Sequence, residues 1–239
     1  MPAMKKQRGL GLVELMVGIA IGLIVAAAAS VVMVNQVTEH RRLMLNTQVQ
    51  QDLRAASSLI VSDLRRSGFW AAPQTGVWAP GQSVSSNPYQ VQSGCSVNSD
   101  GKQLLVYAYS GFDYANTKPA KPNPQAANVQ TNEYFGLRLS NADLQFMFGC
   151  ASGGGPNWQP LTDPSVVAIK KFDVSSVDTV VPLSAYCSKV CTEPDCPQLV
   201  VRRYVVSLAG QAANDVRVKR ELHISSRRRG DAIQGACPA

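Results

Sequence analysis

The sequence predicts an α+β protein in which one long helix packs on an antiparallel β-sheet. Three observations carry that prediction. A helix-period apolar pattern free of proline extends to about residue 66, a stretch rich in Gly, Pro, Ser and Asn follows over 71–164, and alternating β-branched runs occupy the C-terminal third. With 239 residues, 45% apolar and 16% charged, the chain has material for one core of ordinary domain size.

Residues 1–9 contain Lys5, Lys6 and Arg8 and no acid, which marks them as a targeting flank. Without them 20 basic residues face 16 acidic ones, so the formal charge of +7 does not by itself point to nucleic acid. Residues 10–34, LGLVELMVGIAIGLIVAAAASVVMV, carry a single charge, Glu14. About 20 apolar residues cross a bilayer, so this segment is long enough. The basic flank places residues 1–9 in the cytoplasm and the remainder outside. A carboxylate in such a segment costs about 2.5–3.5 kcal/mol near the helix centre, less near an end. A cut between Gly9 and Leu10 would create an amine one helical turn from Glu14, on the same face, and the two charges would pair within one chain or between neighbours. Gly18 and Gly22, continued by Ala26, form a small-residue face that lets membrane helices approach closely.

The string KKQRGLGLVELMVGIAIGLIVAA resembles the type IV pilin and pseudopilin signal: a short basic leader, a glycine, an apolar stretch, and a glutamate five residues after the cut. The resemblance implies that the prepilin peptidase, a membrane aspartyl protease, cuts after Gly9 and N-methylates Leu10, with Glu14 as the assembly glutamate. Leu10 replaces the usual phenylalanine, and the helix lacks the proline of many major pilins. An ordinary secretory signal cut near 26–30 is the competing reading, but Glu14 and the helical pattern downstream argue against it.

After residue 34 the pattern turns amphipathic. Leu45, Val49, Leu53, Ala56, Ile60 and Leu64 form one stripe, while the charged residues, Asp63 among them, mostly take other faces. One helix over 10–66 would be roughly 85 Å long, and Gly68 is its expected stop. The expected organisation is a leader at 1–9, a membrane half of the helix at 10–34, an amphipathic half at 35–67, and a β-rich, disulfide-tied head at 68–239. Strands are expected at 104–109, 134–139, 144–148, 166–174, 199–208 and 216–225, with a proline-rich loop at 118–125. The segment NWQPLTDPSVVAIKKFDV, followed by VVRRYVVSLAG and VRVKRELHIS, resembles the C-terminal half of the PilW family of minor pilins and the related J-type pseudopilins.

Cys95, Cys150, Cys187, Cys191, Cys196 and Cys237 all lie beyond the apolar stretch, which points to an oxidising compartment and to disulfides whose pairing the spacing leaves open. Zinc held by Cys187, Cys191, Cys196 and Cys237 is the alternative, but their spacing is looser than structural zinc sites use. The two histidines and the absence of H-E-x-x-H, G-x-S-x-G and G-K-[ST] motifs suggest no enzyme, no metal and no cofactor. Between residues 200 and 239 eight basic residues, including Arg227, Arg228 and Arg229, face three acids, a patch for an acidic partner or DNA. Only Tyr204 interleaves it, which argues against nucleic acid.

Together the resemblances imply a minor pilin that primes or caps a type IV pilus for motility and adhesion. They imply as partners the prepilin peptidase, other minor pilins, the major pilin and a tip adhesin, and a route from the inner membrane to the cell surface. A type II secretion pseudopilin is the alternative within the class, and a membrane-anchored DNA- or ligand-binding module the alternative outside it.

Overall fold

A computed structural model describes residues 11–70, 87–91, 93–98, 103–111, 129–192 and 195–238. The expected cleavage pair Gly9 and Leu10 and the loop at 118–125 lie outside the described residues. The chain divides into two compact units, Met1–Thr47 and Gln48–Ala239. Helix α1 (Leu12–Arg66) contributes to both.

In the first unit, residues 11–41 of the helical segment are all exposed. Up to residue 34 apolar side chains occupy every face of this segment, so no polar stripe exists there to set one side toward water.

In the second unit the stripe behaves as its spacing predicts: Val49, Leu53, Ala56, Ile60 and Leu64 are buried. The helix stops where Gly68 takes the left-handed region, φ +73°, and donates its amide to the Ala108 carbonyl at 2.8 Å. A Cβ there would press on Arg228 Cδ at 3.1 Å.

The first sheet is an antiparallel meander of β3 (Leu104–Ala108), β4 (Tyr134–Ser140), β5 (Asp143–Cys150) and β6 (Pro156–Pro160), in that order. A short hairpin, β1 (Ser93–Gly94) and β2 (Val97–Asn98), precedes it. The run LLVYA of β3 is apolar without alternation because both its faces are covered. Tyr107 reaches the helix through Asp63, while Val106 clusters with Cys95 and Met147, packed by Val97, Leu104, Tyr134 and Trp158.

The second sheet is built on β8 (Gln198–Ala212). β7 (Val167–Pro182) pairs along one edge, and β9 (Asp215–Arg227) and β10 (Ala232–Gln234) share the other. Gly210 of β8 leaves room for Leu53 of the helix, whose Cδ2 lies 3.1 Å from where a Cβ would stand. The Ser226 hydroxyl donates to the Val61 carbonyl at 3.3 Å, so β9 also meets the helix.

The helix-on-sheet class therefore holds, and all six expected strands form. β7 runs eight residues past its expected end at 174, through Ser175–Pro182. That extension is mostly exposed, so no core face writes an apolar period into it. β6 begins and ends in proline, which hides a strand from pattern reading and confines it to a sheet edge. The six cysteines pair as Cys95–Cys150, Cys187–Cys237 and Cys191–Cys196.

Candidate functional site

The N-terminal segment holds the residues singled out for assembly. Glu14 lies in the first turn of α1 and is exposed. A Cβ added at Gly18 or Gly22 would meet nothing within 4 Å, so the small face they share is open. Around them stand exposed Val13, Met16, Val17, Ile21 and Leu23. One window of α1 reaches a mean hydropathy of 2.6 with none of it buried, long and apolar enough to cross a membrane. Apolar surface of this extent in water would cost far more than a domain's net stability, so the segment needs lipid or packed helices around it.

Among the described residues of the second unit three carboxylates are buried, Asp63, Glu133 and Asp143, and the first two gather tyrosine hydroxyls. Asp63 is 9% exposed and accepts hydrogen bonds from the Tyr107 and Tyr109 hydroxyls, the latter at 2.8 Å. Burial pushes its carboxyl above the usual range, against the lowering effect of those two hydroxyls and of Arg66. Arg66 lies 3.9 Å from Asp63 and stacks over the Tyr109 ring at 4.4 Å. Glu133 accepts from the Tyr89 hydroxyl at 2.7 Å, from the Gly111 amide at 3.1 Å and from the Gln130 amide at 3.0 Å. Burial, then Glu133, pushes the Tyr89 hydroxyl up to about 12. Glu133 also accepts from the Ser110 hydroxyl at 3.3 Å, and both carboxylates are tied into the fold by these bonds, which fix loops to the sheet.

Asp63, expected on a polar face, is inside. Its place three residues after Ile60 and seven after Ala56 sets it on the apolar stripe, a spacing that could have revealed it. Of the basic triplet, Arg227 and Arg229 are exposed and Arg228 is buried. Arg228 continues the inward alternation of Leu222, Ile224 and Ser226, so the period of β9 carries that signal. Among the described residues no group of three His, Cys, Asp or Glu side chains is placed to hold a metal ion.

The profile of the prokaryotic N-terminal methylation motif matches residues 4–30, which include Gly9, Leu10 and Glu14. That of the family described as prepilin peptidase-dependent protein B matches residues 42–228, most of the remaining chain. No curated protein and no solved structure matches the chain. With a methylation motif at its start, one long helix and an antiparallel head, this is a type IV pilin-like protein, and the chain belongs to the prepilin peptidase-dependent protein B family.

Proposed function

We propose that the protein is a minor pilin, similar to the PilW family, that enters the priming or tip complex of a type IV pilus. The observation that carries this reading is the exposed apolar half of α1 with a single carboxylate, Glu14, in its first turn. In this reading the prepilin peptidase removes residues 1–9 at the inner membrane and methylates Leu10, and residues 10–34 hold the chain there in a single pass. Assembly then moves the segment from lipid into a core of neighbouring helices, with Gly18 and Gly22 permitting close approach. Glu14 supplies the counter-charge for an N-terminal amine in that dry core. Other minor pilins, the major pilin and a tip adhesin are the proposed partners, and the role is structural.

Substitution of Glu14 tests the proposal. In a plain anchor, Glu14→Leu removes a charge that costs up to about 3 kcal/mol in the membrane, so insertion improves and nothing else changes. In a pilin, leader cleavage and membrane level stay normal while incorporation into surface pili falls, and Glu14→Asp restores part of it. Mass spectrometry of the mature protein should find residues 10–239, N-methylated. Normal piliation of the Leu variant under limiting expression would sink the reading. Lost secretion with intact pili would move it to a type II secretion pseudopilin.

A further inference from the structure

Arg65 and a run of three arginines more than 160 residues later meet in one cavity. Arg65, from the last turn of α1, and Arg227, Arg228 and Arg229, from the end of β9, line a space of about 490 Å³. Backbone bonds hold them there: the Arg229 amide donates to the Arg65 carbonyl at 3.1 Å, and the Arg228 amide to the Arg202 carbonyl of β8 at 3.0 Å.

Charge within this cluster is not balanced. Arg227 pairs with Asp231 at 2.8 Å, and the neighbouring Arg202 takes both oxygens of Asp178 at 2.7 Å. The two nearby carboxylates are thereby matched to two guanidiniums. Among the described residues Arg65, Arg228 and Arg229 form no ion pair, and Arg228, only 3% exposed, has an Nε without a hydrogen-bond partner. Burial holds its pKa below the usual guanidinium range, yet arginine stays protonated in proteins. Asp178 and Asp231 favour its charge from nearby, but each already pairs with another guanidinium, and a buried cation normally has a carboxylate of its own set against it. Here an open cavity occupies that place.

We infer that the cavity is a binding site for a multivalent phosphate-type oxyanion, gripped by Arg228 at its floor and by Arg65 and Arg229 at its rim. Guanidinium forks match phosphate oxygens two at a time, and three unmatched positive charges suit a diphosphate or a phosphomonoester better than a lone carboxylate. A concave site of this size holds a compact anion, whereas a duplex backbone needs an extended stripe of contacts. Free polyphosphate and the phosphomonoester head of a lipid share the recognised chemistry.

The test is titration calorimetry of inorganic pyrophosphate into the full chain in neutral detergent. One site per chain is expected, weakened by added salt. Arg65→Ala and Arg229→Ala, both at exposed positions that should leave the fold intact, are each expected to weaken binding about tenfold. Arg228→Met should abolish it, and Arg220→Ala, at the far part of β9, should leave it unchanged. Competition by short-chain phosphatidic acid that outdoes pyrophosphate would name a lipid headgroup as the source, and failure to compete would name a free phosphate. No pyrophosphate binding at low salt, or equal binding by the Arg65, Arg229 and Arg220 variants, would overturn the inference. Duplex DNA binding without pyrophosphate binding would replace it with a nucleic-acid surface.

Discussion

Asp63 shows how one residue couples the helix to the sheet. Its carboxylate satisfies two tyrosine hydroxyls of the strand region that ends at Tyr109, so Asp63→Ala would remove the acceptor that both hydroxyls use in a buried place. A loss of about 2–5 kcal/mol is expected, read from thermal or chemical unfolding. The pH dependence has a definite sign. Burial raises the folded-state pKa of Asp63, so the native protein keeps a proton that the unfolded chain has already released. Its contribution to stability is complete below the ordinary aspartate range and is lost as pH rises through the raised value. Asp63→Asn, which cannot ionise, should remove that decline, and melting temperatures of the two proteins across about pH 3 to 8 would show it. Equal slopes would mean that the carboxyl titrates as it does in the unfolded chain.

Among the elements, the β4–β5 hairpin turns on Asn141 and Ala142, with φ of +50° and +64°. Both central residues in the left-handed region make a type I′ turn, which matches the twist of its strands and favours Asn followed by Gly. Asparagine is in place, but alanine bears a steric cost of about 1–2 kcal/mol there. Ala142→Gly should therefore stabilise the head by about 0.5–1 kcal/mol, since the added freedom of the unfolded chain offsets part of the gain. The Ala142 carbonyl also accepts the Ile169 amide of β7 at 2.8 Å, so the turn joins the two sheets. A lower melting temperature in the glycine variant would show that the alanine methyl is not strained.

Across the molecule, the disulfides close loops of very different size. Cys95–Cys150 spans 55 residues, Cys187–Cys237 spans 50, and Cys191–Cys196 spans 5. On loop-closure entropy, replacing either long-range pair by serine should cost about 4 kcal/mol, and replacing the short one about 2 kcal/mol. Unfolding of the three double-serine variants under non-reducing conditions checks that order. Cys95–Cys150 should show the further effect of loosening the β1–β2 hairpin from the sheet, because Cys95 is itself part of the cluster with Val106 and Met147.

Features governed by local periodicity and by solvent are written into the chain and need no structure to be read. Twenty-five residues with one charge need an apolar surrounding, six stripe residues need a partner face, and alternating β-branched runs need a sheet. The helix end at Arg66 and all six expected strands follow from such local rules. Which distant groups meet is a different matter, and folding alone settles it. The cysteine pairing depends on how the chain returns, as does the covering of β3 on both faces, and spacing encodes neither. Asp63 and Arg228 lie on buried faces by their period, but a charged side chain can stay inside only if the fold brings it a counterpart. For Asp63 that counterpart is a pair of tyrosines arriving from another strand, and for Arg228 it is the nearby carboxylates of Asp178 and Asp231, beside a cavity that the end of the helix helps to line.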